Sequence, residues 1–169
     1  MNLPPMIARM RRFPPALRAL LDGLAPDDAR QRGPAGQWSI LEVVCHLADE
    51  EEADFAVRVR LTLEDPSQDW PKIDPEGWAK QRNYNDRDLG GELARFAAQR
   101  EANIRWLQSL DNPDWSRAKA HPRGALSAAD LMTSWCAHDA LHLRQIAKRL
   151  YELAARDGDN ASPAYAGDW

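Results

Sequence analysis

Four stretches of this 169-residue chain repeat apolar residues at three- and four-residue steps, and none alternates apolar with polar residues as a half-buried strand does. Each stretch reads as an amphipathic helix, and four such helices bury their apolar stripes only against one another. The chain is thereby directed to an all-α four-helix bundle. The first stripe is Leu17, Leu20, Leu21 and Leu24, which predicts a helix over 15–24. An extension back through Ile7 to Phe13 meets Pro14 and Pro15, residues that kink or interrupt a helix.

The second helix has a better-marked start. Ser39 and Glu42 have the spacing of a capping box, with Trp38 and Val43 as a hydrophobic staple, and the helix should run from Ile40 to about Leu61. Residues 62–85 then carry Asp65-Pro66, Trp70-Pro71 and Asp74-Pro75, turn signals that argue against a continuous helix or central strand. This reads as a long crossover between the second and third helices, packed over the bundle with Trp70 and Trp78 as anchors. The third helix starts near Asp86 or Asp88 and carries Leu89, Leu93, Phe96, Ile104, Leu107 and Leu110 until Asp111-Asn112-Pro113 stops it. In the fourth, Ser127 and Asp130 repeat the start signal and the helix continues to about Ala154. The resulting organisation is one bundle domain over 1–155 and a loose tail over 156–169, where small polar residues bury too little surface to order themselves.

Composition narrows the function classes. A net charge of -4, with both signs interleaved along the chain, creates no field that would gather nucleic acid or an anionic membrane. No run approaches the roughly 18–20 apolar residues needed to span a bilayer. Pro4, Pro5, Pro14 and Pro15 interrupt the basic cluster of Arg9, Arg11 and Arg12, and no secretion-signal core follows, so the expected location is cytoplasmic. Two cysteines, Cys45 and Cys136, are too few for a disulfide framework and fit a reducing compartment. No heptad seam marks an interface, which leaves a homodimer open.

The chemistry-bearing residues are the histidines. His138 and His142, four residues apart on the fourth helix, differ by about 40° around its axis and about 6 Å along it, so both imidazoles can reach one ion. An HxxxH pair alone is more often one surface histidine and one hydrogen-bonded core histidine. His46, in VVCHLADEE near the start of the second helix, offers the contribution from a facing helix that three-point coordination requires. Glu50 lies one turn after His46 on the same face, with Asp49 roughly so. Either is a hydrogen-bond acceptor for a ligand, a base, or a solvated charge. Gln145, close to one turn after His142, is a polar candidate for orienting bound ligand. His121, in the HPRG loop, is either a packing residue or a substrate-facing group. Cys45 and Cys136 fall off the ligand faces and read as structural, as do Trp38, Trp106 and Trp135.

The strings GQWSILEVVCHLADEEEADF, HPRG and WCAHDALHLRQIAKRL resemble the DinB/YfiT-like family of small metal-binding bundles, over about residues 15–153. The resemblance implies a divalent metal on His46, His138 and His142. Three neutral ligands leave the charge of such an ion uncompensated and part of its coordination sphere open, which suits activation of a water or a thiol. The ligand set accommodates zinc, nickel, iron or copper, with zinc or nickel foremost. The resemblance further implies an S-transferase that joins a small-molecule thiol of the bacillithiol or mycothiol type to an electrophile; Glu50, from its helix face, and His121, from its loop, are the candidate catalytic groups. A metal-dependent hydrolase and a non-catalytic metal-binding stress-response module are the alternatives.

Overall fold

The computed structural model of the chain describes residues 1–122 and 124–167. Seven α-helices are found among them: α1 (Leu3–Leu20), α2 (Pro26–Arg30), α3 (Ile40–Ala53), α4 (Phe55–Glu64), α5 (Pro75–Gln81), α6 (Leu89–Ser109) and α7 (Ala128–Asp157). The four rods of the bundle are α1, the broken pair α3 and α4, α6, and α7. α3 packs against α6 and α7, α1 against α6 and α7, and α4 against α7. Two apolar clusters fill the interior. Leu17, Ile40, Val44, Leu47, Phe96 and Ile146 belong to one, and Met10, Val59, Ile104, Leu107, Met132 and Trp135 to the other.

The cap signals act as read. Ser39 Oγ accepts from the Glu42 amide at 3.1 Å while Glu42 Oε2 accepts from the Ser39 amide at 2.9 Å. Ser127 and Asp130 make the same reciprocal pair at the head of α7, and Asp88 caps α6 through the Gly91 amide. Ser39 Oγ also donates to Asn85 Oδ1 at 2.6 Å. Ser39→Ala is therefore expected to cost about 1 kcal/mol of stability, to be read from the shift of the urea midpoint at unchanged slope.

Three expectations need correction. The first helix runs from Leu3 through Pro14 and Pro15, because Pro4 and Pro5 occupy its first turn, where no amide donor is required, and because tertiary contacts compensate at Pro14. A proline at 14 cannot donate to the Met10 carbonyl; Arg100 Nη1 of α6 does so instead, at 3.3 Å. Phe13 meets Phe96 edge-on at 6.0 Å beside it. The second helix is two segments, since Asp54 (φ -120°, ψ -92°) leaves the helical region. α4 then begins with Phe55 stacked on Trp135 at 6.2 Å. Asp74-Pro75, expected as a turn, starts the short helix α5, with Asp74 accepting from the Gly77 amide and proline at the first helical position.

Trp70 and Trp78 lie partly buried against the second apolar cluster and a third one under α5. A two-residue antiparallel ribbon, β1 (Ala118–Lys119) with β2 (Leu126–Ser127), closes the loop that carries His121; it is too short to leave an alternation in the sequence. Of the expected tail, Asp168 and Trp169 lie outside the described residues. No described helix is long and apolar enough to cross a membrane.

Candidate metal centre

α3 and α7 bring His46, His138 and His142 together, with one nitrogen from each ring within 4.8 Å of the others. Ring centroids are 5.3 Å apart for His46 and His138, 4.7 Å for His46 and His142, and 4.1 Å for the helical pair. His46 is held from behind by Trp38, whose ring lies 5.0 Å away; the staple residue of the α3 cap is thus also the wall of the site. Phe55, delivered by the break at Asp54, lies 5.0 Å from the His138 ring.

The arrangement fits a cation. Gln145 Oε1 stands 2.6 Å from His142 Nδ1. An amide oxygen can only accept, so the proton sits on Nδ1 and Nε2 presents its lone pair. That Nε2 points at His138 Nε2 across 2.8 Å, a meeting of two basic nitrogens that one shared ion satisfies on both sides. Burial pushes the histidines away from protonation, with the neighbouring imidazole charge adding to it: His46 to about 3 and His138 to about 2, with His142 also lowered by burial. Neutral imidazoles are the ligating form. Gln145→Leu is expected to weaken metal affinity by ~10–100-fold, measured by competition against a chromophoric chelator.

Beneath the histidines lies a buried charge cluster. The Arg100 guanidinium donates to Asp139 through Nη1 and Nη2, both at 2.8 Å, and through Nε to Glu51 Oε1 at 2.9 Å. Trp135 Nε1 and Asn103 Nδ2 donate to the same Glu51 carboxylate at 2.7 and 2.9 Å. Two carboxylates face one guanidinium, and the cluster ties α6 to α3 and α7 behind the imidazoles. Periodicity could not disclose this cluster, because Glu51, Arg100 and Asp139 are charged residues on buried faces. Their only sequence signal is position: each interrupts an otherwise apolar stripe.

The expected acidic partners separate. Glu50 is buried, its Oε1 has no hydrogen-bond donor, and it stands 3.6 Å from His46 Nδ1, beyond a normal hydrogen bond. Burial, then the adjacent Asp54, pushes its carboxyl up to about 9. Asp49, by contrast, is turned away from the imidazoles. Its oxygens accept from Arg82, Arg95 and the Tyr84 hydroxyl, which corrects the reading of Asp49 as a partner of the site. His121 lies beside Trp70, the rings tilted by 35° with centroids 5.9 Å apart, and Trp70 shares an apolar cluster with Phe55. Cys45 is buried, with its thiol pushed up to about 12 by desolvation, and Cys136 to about 11; neither supplies a thiolate at neutral pH.

Comparison with known proteins agrees with this picture. Residues 9–146 match the sequence model of the DinB superfamily. A protein of Geobacillus thermodenitrificans (strain NG80-2), provisionally named a metal-dependent hydrolase, is 30% identical over 151 residues, covering 83% of this chain and 79% of its own. The structure of YfiT from Bacillus subtilis, which bears the same provisional assignment and an unusual four-helix-bundle topology, superposes with a TM-score of 0.78 at 18% identity, over 88% of this chain and 86% of that one.

Proposed function

The chain belongs to the DinB superfamily, and from that premise we propose that it is a metal-dependent hydrolase of small molecules, with His46, His138 and His142 as the metal ligands. The observation that carries this reading is the convergence of three buried or half-buried imidazoles from two helices within 4.8 Å. The provisional assignment shared by the two relatives supports hydrolysis ahead of thiol transfer. A divalent cation held there supplies Lewis acidity, with zinc or nickel the best match to the donor set and iron or copper compatible with it.

The remaining roles fall to the chain's own residues. Trp38 and Gln145 hold His46 and His142 in their ligating orientations. Glu50, buried beside His46 and held protonated at neutral pH, is the group assigned to give a proton to the leaving group and to regain one from the attacking water. His121, on the loop closed by the β1–β2 ribbon, is assigned to the substrate. Phe55 and Trp135 exclude water from the α4 side of the imidazoles.

Thiol transfer is the second reading, and one observation favours it over any chemistry using an internal thiol. Both cysteines are desolvated and protonated, so a sulfur nucleophile must arrive as a small-molecule cosubstrate. The deciding experiment compares metal-loaded and chelator-treated protein, first on a panel of activated esters and amides, then on monochlorobimane with a thiol panel. Hydrolysis that needs the metal and is lost in His142→Ala supports the first reading. Acceleration seen only with an added thiol moves the assignment to transfer. No metal-dependent rate in either assay overturns both and leaves a non-catalytic metal-binding module.

A further inference from the structure

Along α7, on the C-terminal side of the histidines, a cleft of ≈ 530 Å³ is lined by Gln37, Trp38, Arg144, Gln145, Lys148 and Arg149. We infer that this cleft binds a carboxylate or phosphate group, the anionic end of the substrate on which the histidine site acts. The word substrate rests on the hydrolase reading; the binding of an anion does not.

The first ground is charge. Three of the six lining side chains are cationic and none is acidic, in a chain whose net charge is -4. Among the described residues neither Arg144 nor Lys148 has a carboxylate partner, whereas Arg149 is partly neutralised by Glu152 at 2.9 Å. A concave surface lined by uncompensated cations raises the local concentration of anions. By comparison, the cleft of ≈ 380 Å³ between α1 and α6 is lined by Arg18, Asp22, Arg30 and Asp88, charges of both signs.

The second ground is construction. Arg149 is 5% exposed, and its Nη2 donates to Gln37 Oε1 at 2.8 Å, while Nη1 is buried with no acceptor. The guanidinium is laid on Gly33, where a Cβ would fall 1.0 Å from Nη1. Glycine at 33 is therefore what permits the guanidinium to reach this wall. Nη1 faces Gly33, outside the cleft lining, so Arg149 contributes to the wall through the field of its guanidinium and not through a free donor.

The third ground is continuity with the imidazoles. Gln145 spends its oxygen on His142 Nδ1, which leaves its amide hydrogens to donate into the cleft. Trp38 lines the cleft with one part of its surface and contacts the His46 ring with another. Arg144 and Lys148 follow His142 by two and six residues, about 160° and about 120° around the helix from it, so the cleft reaches the imidazoles through Gln145 and Trp38. The anionic group and the reacting group of one small molecule would lie along those two side chains.

The test uses the full chain, metal-loaded and chelator-treated, titrated calorimetrically with inorganic phosphate and with succinate. The expected result is a Kd below ~1 mM for at least one probe in both metal states, weakened at least ~10-fold (~1.4 kcal/mol) in Arg144→Glu/Lys148→Glu, with metal content and Tm retained. If the double variant does not fold, Arg144→Glu alone, at an exposed position, is expected to weaken the same binding. Binding of phosphate alone assigns a phosphorylated ligand, and binding of succinate alone a carboxylated one. Binding that vanishes with the metal puts the anion on the cation and overturns the inference, as does equal affinity in wild type and variant. Absence of ester hydrolysis would remove the hydrolase reading without touching this titration.

Discussion

Replacing His46 by alanine is expected to lower metal affinity by on the order of 100-fold or more, beyond the usual effect of losing a partner behind a ligand, and to abolish any metal-dependent turnover. His46 is the one ligand that α7 does not supply. Without it the metal depends on two imidazoles four residues apart, a pair any surface helix can present. The substitution also empties a space between Trp38 and the other rings, so some loss of stability accompanies it. His142→Ala separates the two effects, because its ring sits in a different wall while its loss should lower metal content equally. The measurement is metal content of protein purified without an affinity tag, before and after reconstitution. Full occupancy in both variants would remove the three-histidine site.

The second large effect is expected at Arg100. This residue is 1% exposed and serves Glu51, Asp139 and the Met10 carbonyl at once. Arg100→Met keeps the aliphatic stem but strands two carboxylates and a carbonyl, at a cost of about 3–5 kcal/mol, a large share of the 5–15 kcal/mol typical of a domain. Urea unfolding of the metal-free protein at neutral pH measures it. Adding Glu51→Gln and Asp139→Asn to Arg100→Met should recover part of the loss, since neutral amides are cheaper to bury than unpaired charges. A loss under ~1 kcal/mol for Arg100→Met, the value of an exposed pair, would mean that the cluster is solvated and does not brace α3 and α7.

How much was legible follows from the range of each interaction. The caps at Ser39, Asp88 and Ser127 join residues three apart, so the starts of α3 and α7 were readable to the residue and that of α6 to within two residues. The HxxxH pair is likewise local. The break at Asp54 was not readable, because it is compensated by Phe55 stacking on Trp135, 80 positions later. The passage of α1 through Pro14 was hidden for the same reason, since the donor that replaces the missing amide comes from Arg100. Asp49 and Glu50 are adjacent in sequence, and which of them adjoins His46 depends on where Tyr84, Arg82 and Arg95 arrive.

By itself, then, the sequence determined the helical class, the capped helix starts and the HxxxH pair, all of which depend on spacing along a rod of known pitch, while the family resemblance joined His46 to that pair. Only the tertiary structure decided which charges are buried together, which acid adjoins the site, and that Gly33 and Arg149 build a cationic cleft beside it. Those outcomes require groups distant in the chain to meet in a medium of low dielectric, where one partner more or less changes the free energy by several kcal/mol. Residue order carries no direct record of such meetings.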